Sequence, residues 1–249
     1  MYRLFFTPEW FNGFDLVFET IGLIIALMIA FYSYKIFRFS KENKFVYFSL
    51  AFVLVALGLG FKMFTSSVLY FFPLRESVAI VLKPVMGGGL TLADLFYRAA
   101  FFMQMSVMLS AWLLIFFISQ KSRERLKKYH EISQIALFIY LILLISIVAN
   151  FRYFIFYLTS AVILGMTVLN YYKNYLTKKS ANSLRVFVAF ICLMIAQFFF
   201  IFVFAANWFY FVAEIFTLIG FAIIAAVYMQ VSRIQGRSKN QPKIFEVKV

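Results

Sequence analysis

Residues 184–232 read LRVFVAFICLMIAQFFFIFVFAANWFYFVAEIFTLIGFAIIAAVYMQVS, and the only charged side chains in the stretch are Arg185 and Glu214. It divides at Ala206-Asn207 into segments 184–205 and 208–232, each long enough for the roughly 20 apolar residues that a crossing of about 30 Å of hydrocarbon requires. So short a connection makes the two segments antiparallel neighbours. Working outward, the same reading finds spans at 14–37, 45–71, 92–119, 132–149 and 153–173. The expected fold is all-α: a polytopic membrane protein with a seven-transmembrane-helix bundle as a single domain over residues 1–232, and a basic tail over 233–249.

Composition carries the same message. The chain has 249 residues, 64% of them apolar and 14% charged, with a mean hydropathy of +0.90. Soluble domains sit near 45–50% apolar and about 25% charged. A soluble enzyme, a disordered chain and a disulfide scaffold are all excluded. Cys192 is the one cysteine and His130 the one histidine, so neither an intrachain bridge nor a multi-histidine metal or haem site is available. No cofactor is expected. The opening MYRLFFTPEWFNG lacks a charged stretch followed by an apolar core and a small-residue cleavage site, so no removable signal peptide is expected.

Lysine and arginine set the expected orientation. Eighteen of the 24 basic residues fall in or beside the first, third and fifth connections and in the tail. RFSKENK, QKSRERLKKYHE and NYLTKKSANS mark the three connections. The other side carries Arg3, Arg75, Lys83 and Arg152. Positive loops stay inside, which places the N-terminus outside and the C-terminus in the cytoplasm of a multi-pass protein of the cell membrane. The net charge of +14 is then a consequence of topology and of attraction to anionic inner-leaflet lipid, not of nucleic-acid binding. Within the third connection, Arg123, Arg125, Lys127 and Lys128 form the densest basic group and the expected contact for lipid or for a cytoplasmic protein partner. Trp10, Tyr70, Tyr153, Trp208 and Tyr210 are expected at the outer boundary, in the aromatic belt.

Ionisable side chains inside spans are rare because they are costly, about 2.5–3.5 kcal/mol at mid-helix. Here they are Asp15, Glu19, Lys62, Asp94, Arg98 and Glu214. At about 1.5 Å per residue, Lys62 lies some 13 Å below the outer edge, Arg98 about 10 Å and Glu214 about 9 Å, with Glu19 at a similar level. Asp15 is expected at the rim, solvated, and Asp94 in a capping box with Thr91. Asp15 and Glu19 are four apart and share a helix face. Glu19, Lys62, Arg98 and Glu214 are therefore expected to converge on the bundle axis, either as a static network that fixes helix order or as an outward-facing ligand-binding site.

Motifs narrow the function. A retinal Schiff base needs a lysine in the last span, and residues 208–232 have none. Phe117-Ile118-Ser119-Gln120 and Ala225-Ala226-Val227-Tyr228 stand where the receptors coupled to G proteins carry Asp-Arg-Tyr and Asn-Pro-x-x-Tyr, so only the topology is shared. The Pro-Gln pairs of PQ-loop sugar exporters are absent. Intramembrane hydrolases need histidines or a Gly-x-Gly-Asp motif that the chain lacks, so no enzyme is expected. All four prolines, Pro8, Pro73, Pro84 and Pro242, lie outside the spans, unlike the broken helices of many transporters. The expectation is a receptor-like or sensory bundle with an outward polar site. The alternatives are a small-solute or cation transporter using the same cluster, and a structural subunit of a membrane complex.

Overall fold

A computed structural model describes residues 8–11, 13–71, 76–77, 92–120 and 153–240. The span expected at 132–149, the segment Pro73–Leu90 apart from residues 76–77, the Thr91 cap and the end of the tail lie outside the described residues. Six helices are described in full: α1 (Phe14–Ser40), α2 (Asn43–Tyr70), α3 (Leu92–Ser119), α4 (Tyr153–Lys178), α5 (Ala181–Ile201) and α6 (Trp208–Asn240). Each contains a stretch long and apolar enough to cross a membrane. The protein is a multi-pass, all-helical membrane bundle whose surroundings are lipid.

The helices form a ring in which α1 packs on α2, α2 on α3, α3 on α4, α4 on α5, α5 on α6 and α6 back on α1. Their outer faces are apolar. Val17, Ile21, Ile24, Leu27 and Phe31 make an exposed stripe on α1, and Leu50, Val53, Leu57, Phe61 and Phe64 make one on α2. The three- and four-residue spacing is that of one helical face. In water such stripes would be a large aggregation surface, whereas in lipid they are the solvated side.

Short turns account for the hairpins. Lys41 closes α1 in the left-handed conformation (φ 58°), with its N–H on the Phe37 carbonyl. Glu42 is extended and leads into α2. At the other basic turn, the Ser180 hydroxyl accepts the Ser183 N–H at 3.2 Å and starts α5. α5 ends four residues sooner than the expected span, because Phe202–Phe204 form a 3-10 turn before α6. α6 runs eight residues past the expected span end, to Asn240.

The end at which α1 begins is called proximal here, and the other distal. α3 and α4 run parallel: Phe101 stacks on Tyr153 near their starts (5.9 Å), and the Asn170 amide donates to the Ser119 hydroxyl (3.0 Å) near the end of α3. Two cores follow from this arrangement. The distal core is apolar and joins all six helices through residues such as Ile29, Phe52, Trp112, Leu164, Phe190 and Phe221. The proximal core is aromatic, with Phe101, Tyr153, Phe156, Tyr157, Phe200 and Tyr210, and is closed by Phe11.

Close approach in the distal half depends on small residues. A Cβ at Gly220 would lie 2.8 Å from two Leu193 side-chain atoms and 3.1 Å from the Ala189 carbonyl oxygen, so α5 and α6 touch there nearly backbone to backbone. Ser49 donates to the Ala30 carbonyl (2.8 Å) and Ser33 to the Phe45 carbonyl (2.8 Å), tying α1 to α2.

Candidate functional site: a buried lysine between two glutamates

Three of the four candidate site residues meet inside the ring. Lys62, from α2, donates to Glu214 Oε1 on α6 at 2.5 Å and lies 3.2 Å from Glu19 Oε1 on α1. Exposure is 1% for Glu19 and 4% each for Lys62 and Glu214. Glu19 is five residues into α1, Glu214 six into α6, and Lys62 eight from the end of α2. At about 1.5 Å per residue they sit roughly 8, 9 and 12 Å from the proximal helix ends. In the ring α1 lies between α2 and α6, and because α2 runs antiparallel to both, its last third reaches the level of their first turns.

The fourth candidate, Arg98, is on the first two turns of α3. Its side chain, like that of Asp94, lies outside the described ones. Arg123, Arg125, Lys127 and Lys128 also lie outside the described residues. Asp15, expected at a solvated rim, is buried instead at 1% exposure. Its Oδ1 accepts the N–H groups of Gly13 (2.9 Å) and Leu16 (3.0 Å). A carboxylate on the free N–H groups at a helix start is stabilised there by the helix dipole, which explains how it tolerates burial.

The aromatic shell corrects the sequence reading. Tyr153 and Tyr210 were expected in the belt at the membrane boundary, yet both are buried. Tyr210 is one helical turn before Glu214 and presents its ring to the Lys62 ammonium at 5.1 Å, while the Phe200 ring lies at 5.8 Å. A desolvated cation over two ring faces gains about 2 kcal/mol in favourable cases. Tyr157 stacks on Phe200 (4.6 Å) and packs against Tyr153 (4.4 Å). Trp10 and Trp208 do face outward at this end, as belt residues should.

Phe11, in the 3-10 turn Glu9–Phe11, covers the cluster. It makes edge contacts with Phe18 of α1 and with Tyr210 and Phe211 of α6, at 5.2–6.2 Å. Sequence reasoning missed this cover because nothing in the segment's own pattern says that it folds back. The tyrosines had a signal: Tyr210 and Glu214 are four apart, and so are Tyr153 and Tyr157, so each pair shares a helix face.

Among the described side chains, charge and hydrogen bonding in the cluster do not balance: two carboxylates share one ammonium. Glu19 Oε1 makes the longer of the two contacts with Lys62, and Glu19 Oε2 and the Tyr210 hydroxyl are buried with no hydrogen-bond partner. No group of three His, Cys, Asp or Glu suited to a metal ion occurs among the described residues. A surface groove of about 400 Å³, lined by Ala226, Met229, Gln230, Arg233 and Ile234, lies far from this chemistry. Its Gln230 is 16 residues beyond Glu214 on α6, about 24 Å along the axis.

No family model, no curated protein and no solved structure matches the chain.

Proposed function

We propose that this chain is a seven-crossing protein of the cell membrane, N-terminus outside and C-terminus in the cytoplasm, that works as a receptor-like or sensory bundle and not as an enzyme. Support for a seventh crossing comes from the parallel sense of α3 and α4. α3 ends distally and α4 begins proximally, which is what an apolar span read at 132–149 would require. Seven crossings and the basic connections agree on the orientation.

The observation that carries the sensory reading is the placement of Lys62, Glu19 and Glu214 at one level in the proximal half, above a distal half filled with apolar side chains. A polar cluster joining α1, α2 and α6 would serve as a two-state element for an input at the proximal end to bias, and the described distal core, mainly apolar, suits sensing better than conduction. In this reading Arg98 attracts an anionic ligand to the proximal end, and Arg123, Arg125, Lys127 and Lys128 pass the change to a cytoplasmic partner and anchor the bundle to anionic lipid. A second reading, a structural subunit, draws on the burial and pairing of the same residues, which also fix helix order.

Two measurements separate these readings. Chemical crosslinking in native membranes should recover a cytoplasmic partner, and replacing Arg123, Arg125, Lys127 and Lys128 by Gln should reduce its recovery at least tenfold. A structural subunit predicts that recovery is unchanged by Lys62→Met in an intact bundle, whereas the sensory reading predicts a change. Ion flux in reconstituted liposomes that vanishes in Glu214→Gln would overturn both readings in favour of a transporter.

A further inference from the structure

We propose that Glu19 is a proton-binding site: in the closed cluster it is a neutral carboxylic acid, while Lys62 and Glu214 form the charged pair. This deepens the sensory reading by naming the input, a proton taken from or released to water at the proximal end, and it rests on that reading for the use made of the proton.

The argument is geometric. Nζ of Lys62 gives its short hydrogen bond to Glu214 at 2.5 Å and meets Glu19 only at the longer distance of 3.2 Å. Glu19 is 1% exposed and its Oε2 has no partner. α1 packs on α2 and α6. The charged and titratable groups facing Glu19 from these elements are Lys62 of α2, Glu214 and Tyr210 of α6, and Asp15 one turn earlier on α1. With both glutamates ionised the described trio would carry a net negative charge beside the aromatic proximal core that includes Phe11 and Phe18. Two carboxylates that share one site cannot both ionise cheaply, and one keeps its proton. Glu214 accepts the lysine hydrogen bond, which leaves Glu19 as the protonated member. A metal cation in place of the proton would want several more oxygens, and the described residues gather no such set.

When the Glu19 proton passes to water, the carboxylate left behind competes with Glu214 for Lys62. The ammonium then divides between α1 and α6, and the clasp that joins α2 to α6 loosens. Proton loss is thereby converted into a change in helix contacts.

Infrared difference spectroscopy of the full chain in phosphatidylcholine vesicles, titrated from acid to alkaline buffer, tests this. The wild type should show the carbonyl stretch of a buried protonated carboxyl at neutral pH, and it should disappear on alkalinisation. The band should be lost in Glu19→Gln and kept in Asp15→Asn. It should also be lost in Glu214→Gln, because Lys62 then serves Glu19 alone, and this variant decides the matter if Glu19→Gln does not fold. Absence of the band in the wild type, its full persistence in Glu19→Gln or Glu214→Gln, or its removal by sodium at constant pH would overturn the proposal. A band that behaves as expected while partner recovery ignores Glu19→Gln would leave the proton site standing and remove the sensory reading.

Discussion

The proximal and distal halves of the bundle use the same six helices and hold them together by different physics. The distal half is mainly apolar, with Gly220 letting α6 approach α5, Phe48 stacked on Tyr228 (4.6 Å) and the Ser49 hydroxyl bonded across to α1. The proximal half buries a lysine, two glutamates and an aspartate among aromatic rings. Inside lipid there is no hydrophobic drive to bring helices together, so close packing and interhelical polar contacts must do it. The distal half uses packing in many small increments. The proximal half adds to its aromatic packing a set of charges centred on one ammonium, which makes it the half that a single chemical event can rearrange.

Breaking that contrast should give effects of graded size. Lys62→Met leaves the Glu214 carboxylate in the core without its cation, so unfolding in mild detergent titrated with denaturing detergent should show a loss of about 3–5 kcal/mol. Gly220→Ala probes the distal half. Its new methyl group meets the Ala189 carbonyl oxygen at 3.1 Å, and forcing α5 and α6 apart should cost about 1–3 kcal/mol in the same assay. Ser49→Ala removes one interhelical hydrogen bond and should cost only about 0.6 kcal/mol, the usual worth of such a bond in a membrane bundle.

Legibility in the sequence divides along the same line. Spans were read from hydropathy, and α1 and α3 begin where the apolar runs begin, at Phe14 and Leu92. Helix ends beyond the hydrocarbon were not legible in the same way. Hydropathy measures membrane thickness, whereas α6 continues to Asn240 because Arg233, Arg237 and Lys239 are good helix formers and no proline intervenes before Pro242. The level shared by Glu19, Lys62 and Glu214 followed from counting residues at a fixed rise. Which side chains surround them did not, because depth alone places Tyr153 and Tyr210 in the boundary belt, and only their helical phase turns them inward. Phe11 closes the cluster through tertiary contacts alone.

The central claim is that Lys62, Glu19 and Glu214 are energetically coupled as one unit. A thermodynamic cycle tests it, with unfolding free energies measured for Lys62→Met, for Glu19→Gln combined with Glu214→Gln, and for all three substitutions at once. The account predicts strong coupling: the triple variant recovers most of the stability that Lys62→Met loses, because no unpaired charge remains in the core. Losses that simply add across the cycle would contradict it.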